Sequence, residues 1–198
     1  MSIRSLVLSL IAALGWGLSA GAPASADETP PRELDTTRRG FYVGAAGLYA
    51  VPNFDRDAPA LSGSGGLSTR IGFRGDPYIA EEIEFAWKSG FSSSSGRSEL
   101  VQYDLTLNFK WFLPLGRFHP YALTGIGAVF SRERGDEFTD SPGAEDNAFL
   151  AKLGLGVEAY ATDHIVANVA FDYGFPVSNG HSAEDQFASF TFGLLYRF

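Results

Sequence analysis

The chain holds three histidines, no cysteine and 23 acidic residues, and these bound the chemistry it could perform. His119, His164 and His181 lie too far apart to share a short zinc motif, and no thiol is present to complete a ligand set. Glu133, Asp136, Glu137, Asp140, Glu145 and Asp146 crowd one polar stretch, but their spacing is not that of a calcium-binding loop. Solvated loop charge accounts for them. The glycine pairs Gly125/Gly127 and Gly154/Gly156 lack the remainder of a dinucleotide-binding motif and read better as small residues that make room inside a fold. We therefore expect no metal and no cofactor. What remains is a set of charges separated, within each apolar stretch, by even numbers of residues: Arg70 and Arg74; Glu82, Glu84 and Lys88; Asp104 and Lys110; Lys152 and Glu158. Asp172 and Arg197 stand in two further stretches.

Even spacing places those charges on one face of a β-strand, because side chains alternate with a period of two. The intervening positions are apolar. Residues 101–111 show it without a break, with Val101, Tyr103, Leu105, Leu107, Phe109 and Trp111 against Gln102, Asp104, Thr106, Asn108 and Lys110. A helix would repeat its apolar residues at three and four instead. Similar alternation covers 67–74, 82–88, 149–158, 165–173 and 190–198. Two further strands, 41–51 and 121–130, are so rich in Gly and Ala that their faces stay unassigned. Eight strands result. Their spacers alternate between tight turns (75–77, 114–116 and 161–163) and longer polar stretches (52–65, 89–98, 131–146 and 176–185).

Greasy faces on six of the eight strands need an apolar solvent, and an export signal precedes them. Arg4, the apolar run 6–18 and Ala24-Ser25-Ala26 have the layout of a secretory signal peptide. The expected organisation is a cleaved signal over 1–26, a short polar lead-in over 27–39 containing Pro30 and Pro31, and one domain over 40–198. After Ala26 no apolar run approaches the roughly 18 residues of a spanning helix. A closed barrel is the other structure that satisfies its backbone inside lipid. Short turns at one end and long loops at the other match the outer-membrane form of it. A mean hydropathy of -0.01 with 14% aromatic residues suits that better than a cytosolic domain. The net charge of -8 argues against nucleic acid as a partner. Without cysteines, stability must come from closure and packing.

With these residues assembled, the chain resembles the small eight-stranded barrels of the Gram-negative outer membrane, in particular the OmpA-like, opacity-type family. Residues 118–128, FHPYALTGIGA, resemble that family's fifth strand. Leu194, Tyr196 and Phe198 resemble its carboxy-terminal assembly signal. The resemblance implies an all-β, eight-stranded antiparallel up-and-down transmembrane barrel. It also implies outer-membrane lipid and lipopolysaccharide as surroundings, and delivery by periplasmic chaperones to the barrel assembly machinery. A monomer is expected, with no peptidoglycan-binding domain after the last strand. One barrel family of this size is a lipid A deacylase with a His-x-Ser pair on its seventh strand. Here Asp172 and Gly174 stand at the aligned positions and supply neither nucleophile nor base.

Arg70, Arg74, Lys88, Lys110, Lys152 and Arg197 face the lumen with Glu82, Glu84, Asp104, Glu158 and Asp172. An eight-stranded barrel is only wide enough for side chains to fill it. Those charges must therefore pair, and Arg70 and Arg74 are expected to meet Glu82 and Glu84 across the hairpin. Trp87, Trp111, Tyr121 and Tyr173 are expected at the membrane interfaces, with Phe112 beside Trp111. The expected function is non-catalytic, in envelope integrity or surface contact. The alternatives are an adhesin or ligand-binding barrel for haem or lipopolysaccharide, and a narrow pore.

Overall fold

A computed structural model describes residues 34–52, 63–92, 98–135, 145–176 and 186–198. Eight strands run in chain order: β1 Gly40–Pro52, β2 Ser64–Arg74, β3 Ile79–Ser92, β4 Ser98–Phe112, β5 Phe118–Gly135, β6 Glu145–Tyr160, β7 Ile165–Pro176 and β8 Phe187–Arg197. Each pairs antiparallel with its neighbours, and β8 pairs with β1 to close the barrel. Closure gives every strand two paired neighbours. The expected signal segment 1–26, residues 27–33 of the lead-in, and residues 53–62, 93–97, 136–144 and 177–185 lie outside the described residues. His181 and the loop acids Asp136, Glu137 and Asp140 fall among them.

The three short turns sit where turn-forming residues demand. In the first, Asp76 Oδ1 accepts from the backbone N–H groups of Tyr78 (2.6 Å) and Ile79 (2.9 Å). In the second, Gly116 takes φ of 62°, the left-handed conformation that favours glycine. In the third, Thr162 Oγ1 accepts from the N–H groups of His164 (3.2 Å) and Ile165 (2.9 Å). Both chain ends of the barrel lie at this short-turn end, since Gly40 opens β1 and Arg197 closes β8.

The strands on one side are longer than their alternation suggested. β4, β5 and β6 span 15, 18 and 16 residues, and the ladder continues as far as Ser98↔Gly135 and Arg132↔Glu145. Residues 131–135 and 145–146, expected in a loop, are strand. Their polarity hid them: beyond the lipid a strand has no reason to keep an apolar face, so the alternation ends before the hydrogen bonding does.

The faces of β1 and β5 are now assigned. On β1, Tyr42, Ala46, Leu48 and Ala50 are buried inside, while Phe41, Val43, Tyr49 and Val51 are exposed outside. On β5, His119, Tyr121, Leu123 and Val129 are buried, while Phe118, Ile126 and Phe130 are exposed.

Candidate functional site

The lumen is built by inward positions of all eight strands, and its middle is ionic. On β3, Glu82 and Glu84 alternate with Ile83 and Phe85, so both carboxylates point inward and are nearly inaccessible. Lys110 of β4 is fully buried, with Nζ 2.7 Å from Glu82 Oε2 and 3.7 Å from Glu158 Oε1. Lys152 of β6 places Nζ 2.6 Å from Glu84 Oε2 and 3.9 Å from Asp172 Oδ2. Toward the long-loop end, Lys88 pairs with Asp104, and Lys88 Nζ also lies 3.2 Å from the centre of the Phe187 ring. Gln102 Nε2 donates to Asp104 (3.2 Å).

Arg70 and Arg74 share a face and a strand yet choose different partners. Arg70 is the ladder partner of Glu84, and its guanidinium lies 3.6 Å from Glu84 and 3.9 Å from Glu82. Arg74 does not meet either glutamate, contrary to the sequence expectation. The ladder sets it opposite Ala80, which offers no charge, so its side chain crosses the lumen to Glu158 (2.8 Å) and the Tyr160 hydroxyl (2.6 Å). Arg197 also departs from expectation. It points inward, but it donates to the backbone carbonyls of Asp35 (3.4 Å) and Arg38 rather than to a carboxylate, and stacks 5.0 Å from the Tyr160 ring centre. Asp35 N donates to Asp163 Oδ1 at 2.9 Å, and Leu34 packs on the apolar cluster beneath. The end of the lead-in is thus held across the short-turn mouth.

Neutral polar groups fill some of the remaining valences. Asn108 Nδ2 donates to Glu84 Oε2 (3.0 Å), and the Tyr42 hydroxyl donates to Glu82 Oε2 (3.0 Å). The outer oxygens Glu82 Oε1 and Glu158 Oε1 have a cation within 4 Å but no hydrogen bond, so charge alone serves them. Among the described side chains five cations and five carboxylates take part in these pairs. Burying that many charges is tolerable only because every one has an opposite charge within reach.

Tyr121, expected at a membrane interface, is inside and buried. Its ladder partner on β6 is Gly156, and a Cβ there would run into the Tyr121 ring. The glycine opens the space that the ring fills. Tyr42 does the same opposite Gly72 on the other side of the barrel. The Tyr121 hydroxyl accepts from Asn168 Nδ2 (2.9 Å), and the two rings lie 4.8 and 5.8 Å from Lys110 Nζ. Phe112, grouped by sequence with the interface aromatics, is also inside, with the Arg74 guanidinium 3.8 Å from its ring centre. Glycines on the neighbouring strand were the signal for this inward placement, and it is readable only once the register is known.

Trp87 and Trp111 face outward and are exposed, and Tyr173 is outward and half-buried. Leu194, Tyr196 and Phe198 are exposed on the outer face, and Phe198 N donates to Phe41 O at 3.1 Å. Asp172 and Gly174 lie on the inner face, and the outward positions beside them are Phe171, Tyr173 and Phe175. Among the described residues no group of three potential metal ligands converges. Sequence reasoning overlooked Glu81, which precedes Glu82 and therefore points outward; parity alone would have found it.

A family model described as "Outer membrane protein beta-barrel domain" matches residues 10–198. No curated protein matches the sequence. Among solved structures, Neisserial surface protein A aligns with a TM-score of 0.59 and 15% identity, covering 80% of this chain and 97% of that one. The attachment invasion locus protein of Yersinia pestis gives 0.56 and 15%, covering 81% and 100%. The outer membrane protein OprG of Pseudomonas aeruginosa gives 0.55 and 13%, covering 82% and 98%. At these identities the likeness is one of fold.

Proposed function

The chain belongs to the outer membrane protein beta-barrel domain family, and from that premise we propose a non-catalytic envelope protein whose lumen is closed by its own ion pairs. Export removes residues 1–26 by cleavage after Ala26. The barrel then sits among phospholipid and lipopolysaccharide as a monomer, its long-loop end toward the cell exterior, and periplasmic chaperones and the barrel assembly machinery bring it there. The outward face of Leu194, Tyr196 and Phe198 is the segment we assign to recognition during assembly.

One observation carries the closed-lumen reading. Lys110 is fully buried in mid-lumen between Glu82 and Glu158, with the Tyr42 and Tyr121 rings beside it. A continuous water-filled path would expose such an ammonium. The test is conductance of the refolded protein in a planar bilayer. The expected result is no steady current above the bare membrane; a stable single-channel step that scales with salt would replace this reading with that of a narrow pore.

A second reading, contact with a surface ligand, draws on the projecting β4–β5–β6 side. Those strands exceed the 11 to 13 residues of β1, β2, β7 and β8 and continue their pairing to Arg132↔Glu145. A paired ribbon beyond the lipid is a firmer platform for contact than a loop. Haem and lipopolysaccharide are the probes to apply. Binding that survives in a variant lacking residues 132–145 would remove the ribbon from the account.

A further inference from the structure

Among the strand residues whose side chains are described, the outward surface of the barrel is largely apolar and carries almost no charge. Among the strand residues whose side chains are described, Glu81 is the single charged group directed away from the lumen. It is exposed, whereas Ala80 and Glu82 on either side of it are buried. The ladder sets it between Phe73 of β2 and Phe109 of β4, and Ile79 and Ile83 are its nearest neighbours on the same face of β3. Its carboxylate has no hydrogen-bond or ion-pair partner among the described residues.

An unpaired carboxylate on a lipid-facing strand is unfavourable at the centre of the bilayer and tolerable near its edge. Glu81 is the third residue of β3 from the short-turn end, and Trp111 stands opposite Ile79 just below it. The residue therefore lies in the aromatic zone, where hydrocarbon gives way to headgroups. A carboxylate between two aromatic residues is suited to a primary ammonium. The oxygens accept its N–H groups, and ring faces attract its charge. The group a membrane presents at that depth is a lipid headgroup.

We propose that Glu81, flanked by Phe73 and Phe109, forms a binding site for the primary ammonium headgroup of a zwitterionic phospholipid at the short-turn end of the barrel. The site retains such a lipid in preference to one with a trimethylated headgroup, which has the same charge but no N–H to donate. It also disfavours a lipid whose headgroup is anionic. The lipid contact then fixes the vertical position of β3 in the leaflet.

The test uses the full mature chain in nanodiscs of equal parts phosphatidylethanolamine, phosphatidylcholine and phosphatidylglycerol, with retained lipids identified by native mass spectrometry. The expected result is a two- to fivefold enrichment of phosphatidylethanolamine over phosphatidylcholine, about 0.4–1 kcal/mol at 1.36 kcal/mol per decade. Glu81→Gln should abolish that enrichment while keeping the heat-modifiable gel shift of the folded barrel. Phe73→Leu and Phe109→Leu should each reduce it. Equal enrichment in the parent and in Glu81→Gln would overturn the proposal, as would a preference for phosphatidylglycerol. A dimer mass that depends on Glu81 would overturn it too, in favour of a second copy as the partner.

Discussion

Phe192 on β8 is 66% exposed while Lys110 on β4 is 0% exposed, the reverse of where a soluble domain puts these residue types. The two surfaces of each strand answer to different solvents. Outside, lipid makes exposed Leu, Ile and Phe the stable choice, and these apolar side chains need no specific partner. Inside, each charge except Arg197 is held by a particular opposite charge, and position matters to within an ångström. The outer face should therefore tolerate apolar exchange and resist charge, whereas the lumen should resist loss of any one partner.

The largest expected effect comes from the lumen. Glu84→Ala strips Lys152 and Arg70 of a carboxylate and Asn108 of an acceptor. Removing one member of a buried ion pair typically costs about 3–5 kcal/mol. Urea unfolding in detergent should register a loss of that size; an unchanged midpoint would mean that water reaches the site and screens it. The converse change on the outside is Leu105→Arg, at the middle of β4 and exposed to lipid. In bilayers it should cost about 2–4 kcal/mol, the range for a cation at the bilayer midplane. In detergent the loss should shrink, because micelles let the side chain reach water. A smaller effect tests the fit of the lumen: Gly156→Val would drive a side chain into the Tyr121 ring and should cost about 1–3 kcal/mol by overpacking. No loss on that change would show that Tyr121 has room to leave.

This contrast also explains what the sequence could reveal. Alternation in β4 and β8 was legible because both solvents act on every turn of the pleat. It assigned Asp104, Lys110 and Arg197 to the same inner face that they occupy. Gly- and Ala-rich β1 and β5 carried no such signal, so Tyr121 was expected at a membrane interface, and its inward place follows only from its register against Gly156. Partner choice was illegible for a different reason. Strand neighbours follow from a hairpin, and Arg70 obeys that logic with Glu84. Arg74 does not, because its partner Glu158 lies across the lumen, where only closure of the barrel sets the distance. Strand ends were lost where polar ribbon continues beyond lipid, as in residues 131–135. The outward carboxylate of Glu81, the single one among the described strand side chains, was available by parity and sits beside a pair of glutamates that draw attention inward.

The lumen is an ionic core in which each of the five ion-paired cations depends on its carboxylate partner. A double-mutant cycle on Lys88 and Asp104 tests that dependence most directly, since their remaining described contacts are few: the Phe187 ring for Lys88 and Gln102 for Asp104. Lys88→Met and Asp104→Asn should each destabilise the barrel in urea by about 3–5 kcal/mol, and the double variant by clearly less than their sum. That non-additivity is the signature of two charges buried against each other. Additive losses in the cycle would contradict the account, because they would mean that each side chain is stabilised by water or by the rest of the barrel and not by its partner.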